Sequence, residues 1–235
     1  MTTELVVQDF SGFWNGAFEE GRSRVIESGS WKRQRTIIIV PSAEMIPAKV
    51  ALSLWNLSFP PNNPTMKILA IGTEVGEAYS KAIEGILAEP ALSDWEYVLC
   101  CEHDNLPRPN SALKLFERME AHPELHAISG LYFQKGEAGI PQIWGDPKDP
   151  ILNFRPQPPV NGELVECCAV GMGFTLFRLS MFRDSRLRRP WFETKLQPAM
   201  TQDLYFWQDA REHGFRCAVD CSVKVGHLDT NGFVW

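Results

Sequence analysis

Apolar residues along this chain fall into blocks that switch between two periods. Residues 35–41, Arg-Thr-Ile-Ile-Ile-Val-Pro, form a β-branched run ended by proline, which predicts a buried strand. Ala48, Ala51, Leu52 and Trp55 then recur at helical spacing. The apolar run 66–71 predicts a second strand, and Val75, Ala78, Tyr79, Ala82 and Ile86 mark a second helix. Tyr97-Val98-Leu99-Cys100-Cys101 predicts a third buried strand, stopped by Pro107 and Pro109. Pro109 opens a helix with Ala112, Leu115, Phe116 and Met119 on one face, and a fourth strand is expected over 126–133. Strand and helix thus alternate, which predicts a mostly parallel sheet with right-handed crossovers.

The second half is less regular. Residues 136–162 hold Pro141, Pro147, Pro150, Pro156, Pro158 and Pro159 among Gly, Asp and Asn, the composition of a long loop or lid. Apolar strands over 164–170 and 174–177 flank Gly171-Met172-Gly173, where glycine permits a sharp bend or close approach of a ligand. Thr201-Gln202-Asp203 opens a helix with Leu204, Trp207 and Ala210, ended by Gly214. Cys217, Val219, Cys221, Val223 and Val225 then alternate with Arg216, Asp220, Ser222 and Lys224. That strand carries His227 in the phase of the interior side. Residues 1–34 are aromatic without periodicity and are expected to form an extension packed on one domain spanning 35–235.

A chain of 235 residues with 44% hydrophobic content can bury a sizeable core. No apolar run approaches the ~20 residues of a membrane span. The start, Met1-Thr2-Thr3-Glu4, lacks the basic-then-apolar order of a signal peptide, so a cytoplasmic location and no membrane partner are expected. The net charge of −6 argues against a surface given over to nucleic acid. Residues 183–195 run against that balance. Arg183, Arg186, Arg188, Arg189 and Lys195 face only Asp184 and Glu193, which suits an anionic partner. The six cysteines include the adjacent pairs Cys100-Cys101 and Cys167-Cys168, with no Cys-x-x-Cys spacing. They read as core residues in preference to a zinc site.

The chemistry concentrates after the third strand, where Glu102-His103-Asp104 succeeds the apolar run directly. Crevices of open α/β sheets lie at the carboxyl ends of strands. Two carboxylates there suit a hard divalent cation that holds phosphates. No Gly-x-Gly-x-x-Gly and no phosphate-loop motif occurs, which disfavours a dinucleotide-binding or P-loop fold.

These pieces come in an order that resembles a GT-A glycosyltransferase of the family-two-like kind. An acid-x-acid strand end leads to Ser129-Gly130-Leu131-Tyr132-Phe133-Gln134-Lys135, then Val170-Gly171-Met172-Gly173-Phe174, then Gln202-Asp203, then Gly226-His227. The resemblance covers about residues 35–229. It implies an α/β fold: a single GT-A-like (Rossmann-like) domain with a mixed, mostly parallel central sheet flanked by helices. The nucleotide-binding half would be 35–135, the lid 136–162 and the acceptor half 163–235.

The resemblance also implies an activity, metal-dependent transfer of a sugar from a nucleotide sugar, by preference a UDP-sugar, to a hydroxyl by a hexosyltransferase-type enzyme. Asp104 would bind Mn²⁺ or Mg²⁺ directly. Glu102, a glutamate where the family usually has aspartate, would touch ribose or the metal. His227 would complete the metal site. Asp203 would be the catalytic acid of the acceptor half, with Gln202 in place of the usual preceding acid. Donor contacts are expected from Pro41, Ser42, Glu74, Tyr79, Glu102, His103, Gly171 and Gly173, with Trp191 stacking on a sugar ring. The acceptor is open: a glycan, a small molecule or modified DNA. Two rivals remain. A nucleotidyltransferase would need a glycine-rich basic loop that Pro41-Ser42-Ala43-Glu44-Met45 does not supply. A nucleotide-sugar binding module would need no catalytic acid.

Overall fold

The computed structural model describes residues 34–61, 64–72, 74–197 and 199–235. The expected packing of residues 1–34 lies outside the described residues but for Gln34. The main strands are β1 (Thr36–Ser42), β2 (Thr65–Ile71), β3 (Tyr97–Cys101), β4 (Asn105–Pro107) and β5 (Ala127–Leu131). Next along the chain are β6 (Ile143–Trp144), β7 (Leu164–Cys167), β8 (Ala169–Val170), β9 (Phe174–Arg178), β10 (Lys195–Leu196), β11 (Ala199–Met200) and β12 (Cys217–His227). The helices are α1 (Ala48–Trp55), α2 (Val75–Ala88), α3 (Ser111–Ala121) and α4 (Gln202–Glu212).

The central sheet runs β2-β1-β3-β9-β5-β12-β4, with β7 also on β12. β1 pairs parallel with β2 and β3, and β12 pairs parallel with β5. β9 is antiparallel to both β3 and β5, so those two neighbours point the same way. Five strands therefore share one direction, and their carboxyl ends converge on one edge of the sheet. That edge receives Ser42, the acids after Cys101, the segment after Leu131, and His227. Because β9 runs backwards, the Gly171–Gly173 turn before it arrives at the same edge.

One face of the sheet buries Tyr79, Ile83 and Ile86 of α2 with Phe206 and Trp207 of α4. The other buries Ala112, Leu115, Phe116 and Met119 of α3, the face the sequence predicts. β1 and β3 are covered on both sides and every residue in them is buried, which is why they read as unbroken apolar runs.

The structure corrects three local expectations and adds detail to a fourth. In α1 the buried residue is Val50, while Leu52 is 58% and Trp55 81% exposed. The helix turns Val50, Ser53 and Leu54 inward, and Ser53 Oγ donates to Pro107 O at 2.5 Å. Ala51 and Trp55 border a groove of about 250 Å³ with Leu69 of β2, an edge strand exposed along most of its length.

Second, residues 136–162, the expected long loop or lid, carry short pairings of their own. β6 pairs with β8, and bridges join Phe133 to Pro141 and Trp144 to Pro156. Pro147, Asp149 and Leu152 line a pocket together with Arg211 and Glu212, at the end of α4 opposite Asp203.

Third, the alternation of β12 breaks at a bulge between Asp220 and Lys224. Cys217, Val219 and Cys221 face one core, whereas Val223 and Val225 face the other. Four steps along β12, Asp220 to Lys224, match one step of β5, Gly130 to Leu131, and such an irregularity shifts the side-chain phase and re-aims the rest of the strand. Fourth, Asp220, expected among the polar positions on the outer side, is fully buried and paired with Arg118 Nε at 3.0 Å.

Candidate functional site

The acid pair is placed by hydrogen bonds continuing out of β3. Glu102 N donates to Gly173 O at 3.1 Å, extending the β3–β9 pairing by one step. The chain then turns, with Asn105 N donating to Glu102 O at 3.2 Å, and returns as β4. β4 pairs antiparallel with β12, and Asn105 sits opposite His227. Leu228 N donates to Asp104 O at 2.7 Å. That pairing brings His227 to Asp104 from the far end of the chain.

A cavity of about 270 Å³ opens at this edge, lined by Pro41, Ser42, Ala43, Val75, Glu102, His103 and Asp104. The structure thus brings together the predicted residues of β1 and of the acid pair. The Ser42 hydroxyl is turned to Met45 O at 3.1 Å, so Pro41 and Ser42 offer the cavity a wall, not a free hydroxyl.

Asp104 carries the most contacts. Its Oδ2 accepts from Lys135 Nζ and lies 3.5 Å from His227 Nε2, while its Oδ1 is buried without a partner. Burial opposes ionisation of Asp104, but contacts from His227 and Lys135 outweigh it and hold the carboxyl at about 2. His227 Nδ1 lies 2.8 Å from Phe133 O. A carbonyl only accepts, so Nδ1 carries a proton and Nε2 is the ring nitrogen turned to the Asp104 carboxylate.

Glu102 is different. Burial first, then the fields of Asp104 and Asp203, push its carboxyl up to about 8 against the opposing field of Lys135. Asp203 is only 7% exposed at the first turn of α4, and burial raises its carboxyl above the usual range. It accepts from Thr201 Oγ1 and from Leu204 N. Tyr132 feels the fields of Glu102, Asp203 and Asp104, so one ring stands among all three acids. Its hydroxyl accepts from Gly173 N at 2.9 Å, and it meets His227 edge-on at 5.6 Å between ring centres.

Several expected donor contacts are corrected. Trp191 is 1% exposed, set edge-on against Phe182 with Arg189 over its ring, so no face is free for a sugar. Tyr79 is fully buried against Phe192. Glu74 caps α2 instead: its carboxylate accepts from Glu77 N at 3.0 Å and Thr194 Oγ1 at 2.8 Å. Gly171 and Gly173 are buried, and the space a Cβ would need is filled. At Gly171 it would lie 2.1 Å from Tyr132 Oη, and at Gly173 2.6 Å from Tyr132 Cζ and 2.7 Å from Asn105 Oδ1. These glycines serve close packing behind the acids.

Gly173→Ala would overpack that seat, and overpacking typically costs ~1–3 kcal/mol. A lowered thermal midpoint together with a shifted Tyr132 environment is expected; an unchanged melt would contradict the packing role. The cations of 183–195 also have internal partners. Arg186 pairs with Asp184, Lys195 with Glu193, and Arg188 lies 3.4 Å over the Tyr205 ring.

Lys135, Asn105 and Tyr132 join the site without being marked by the sequence motifs as site residues. Their signal is position: Lys135 and Tyr132 come after β5 and Asn105 after the acids, all at the carboxyl edge.

No family model and no curated protein sequence matches this chain. Among solved structures it is similar to A197 from STIV, with a TM-score of 0.60 and 15% identity over 85% of this chain and 92% of that one. It is also similar to GalNAc-T7, crystallised with UDP, GalNAc and Mn²⁺, with a TM-score of 0.56 and 10% identity. That match covers 84% of this chain and 44% of GalNAc-T7. The likeness is one of fold: the chain has the GT-A fold, as the motif order implied. Among the described residues, no helix is long and apolar enough to cross a membrane.

Proposed function

We propose that the chain is a metal-dependent glycosyltransferase that takes a nucleotide sugar, by preference a UDP-sugar, in the cavity beside Glu102, His103 and Asp104. The observation that carries this reading is the convergence of His227 Nε2 and Asp104 Oδ2, 3.5 Å apart, beside a buried carboxylate oxygen without a partner. This donor set fits a divalent cation. Among the described residues no cluster of three or more His, Cys, Asp or Glu could cage one. Mg²⁺ and similar ions are commonly held by one or two protein ligands together with water and substrate phosphates. Asp104 and His227 would hold the ion, and the ion would neutralise the departing diphosphate. Pro41, Ser42 and Val75 would border the nucleotide.

Asp203 would act on the acceptor proton as a general base, or orient the transferred sugar if configuration is retained. Its burial suits the first role, because a carboxylate above its usual pKa binds a proton more readily at neutral pH. The nucleotidyltransferase alternative still lacks its glycine-rich loop after β1. A binding module without turnover remains an outcome of the test.

Calorimetric titration with UDP in Mn²⁺ and then in EDTA tests the donor half of this proposal. Binding in Mn²⁺ that is largely lost in EDTA is expected. Equal binding in both would overturn metal dependence.

The acids also set a pH dependence. In metal-free protein Glu102 keeps its proton up to about pH 8, whereas in the unfolded chain a glutamate loses it near 4.5. Between those values the folded state binds more protons, so stability falls as pH rises. Glu102→Gln should therefore melt higher than wild type in EDTA, with a gain that grows from pH 5 to pH 8. A gain independent of pH would show that Glu102 titrates normally.

A further inference from the structure

The Lys135 ammonium occupies the carboxylate where the proposed function puts a metal. It donates to Asp104 Oδ2, the oxygen that also faces His227. Contacts from His227 and Lys135 lower the Asp104 carboxyl, and the field of Lys135 lowers Glu102. Asp229 also feels the field of this ammonium. Lys135 is thus a single positive charge set among Glu102, Asp104 and Asp229.

The backbone just before it is held in place. Gln134 N donates to Ile140 O at 2.8 Å, and Phe133 O holds the His227 ring. The side chain is about a third exposed and can swing on its four-carbon stem. An ammonium and a divalent cation on one half-buried carboxylate repel each other strongly. A lysine displaced there would lie beside the donor's phosphates, where a compact point charge binds well.

We propose that Lys135 is a charge-exchange residue: it neutralises Asp104 in the empty site, yields that place to the divalent cation, and then pairs with the donor diphosphate. This rests on the metal-dependent reading above and adds a residue and an order of events to it. It makes two predictions of opposite sign. Without nucleotide Lys135 competes with the metal, and with nucleotide it assists binding. A lysine that only ties the loop after β5 to the β3–β4 turn would produce neither.

The test uses Lys135→Met, which keeps the stem and removes the charge, with Lys135→Gln as a second neutral variant and Lys135→Arg as the charged control. Mn²⁺ alone is titrated into nucleotide-free protein and monitored by electron paramagnetic resonance. UDP is then titrated at saturating Mn²⁺.

The neutral variants should bind Mn²⁺ more tightly, by about tenfold, within the usual 5–150-fold range of site coupling. They should bind UDP several-fold more weakly, with Lys135→Arg near wild type in both. Mn²⁺ bound equally by wild type and the neutral variants overturns the exchange while leaving the metal reading intact. Mn²⁺ bound by none of them overturns both. Weaker Mn²⁺ binding in folded neutral variants would make Lys135 a support of the site, and that too overturns the proposal.

Discussion

Asp203→Asn should lower turnover by about 10²–10⁴-fold while UDP affinity in Mn²⁺ barely moves, the range general acid–base catalysis contributes. Asparagine is close in shape to aspartate and keeps a side-chain oxygen to accept from Thr201 Oγ1 and Leu204 N. It removes the charge and the proton-accepting capacity. Loss confined to the rate would mark an interaction made in the transition state. The wild-type rate should also fall as pH drops through the raised pKa of the buried Asp203 carboxyl, and the variant should lack that limb. If Asp203 only supports the start of α4, asparagine serves about as well and turnover stays within a few-fold of wild type.

The second large effect belongs to Asp104. Asp104→Asn should abolish the Mn²⁺-dependent part of UDP binding, beyond the ~10–100-fold that loss of an outer-sphere partner costs. The amide cannot supply the anionic oxygen a hard cation needs. It also leaves Lys135 without its partner and His227 facing a neutral group. There is a cost in stability of known sign. With Asp104 held at about 2, below its ordinary 3.8, its ionised form stabilises the fold above pH 4, and that contribution fades as pH falls toward 2. Asp104→Asn should therefore melt lower than wild type at pH 7 and approach it in acid. UDP binding to Asp104→Asn that still rises with Mn²⁺ would place the metal elsewhere.

How much the sequence discloses depends on how each segment is buried. β1 and β3 are covered on both faces, so their apolar runs and abrupt ends are plain, and with them the position of Glu102 and Asp104. His227 is legible as a residue closing a strand. Its meeting with Asp104 depends on the β4–β12 pairing, and the bulge after Asp220 has no mark in the alternation. Trp191 misleads because an aromatic between Pro190 and Phe192 has the same composition on the surface or in the core; only packing against Phe182 decides. The paired glycines suggest space for a ligand, yet that space belongs to Tyr132 and Asn105. Lys135 escapes notice because a lysine beside Gly136 looks like any solvated loop residue. Its meaning comes from standing beyond β5 at the carboxyl edge, where five strands point together.

Turnover measures the central claim most directly: the wild-type protein incubated with a panel of nucleotide sugars in Mn²⁺ or EDTA, with released nucleoside diphosphate and transferred sugar both quantified. Release from a UDP-sugar that requires Mn²⁺ and matches the sugar transferred is the predicted result. Absence of release from every donor by folded protein that binds UDP would contradict a transferase and leave a nucleotide-sugar binding module.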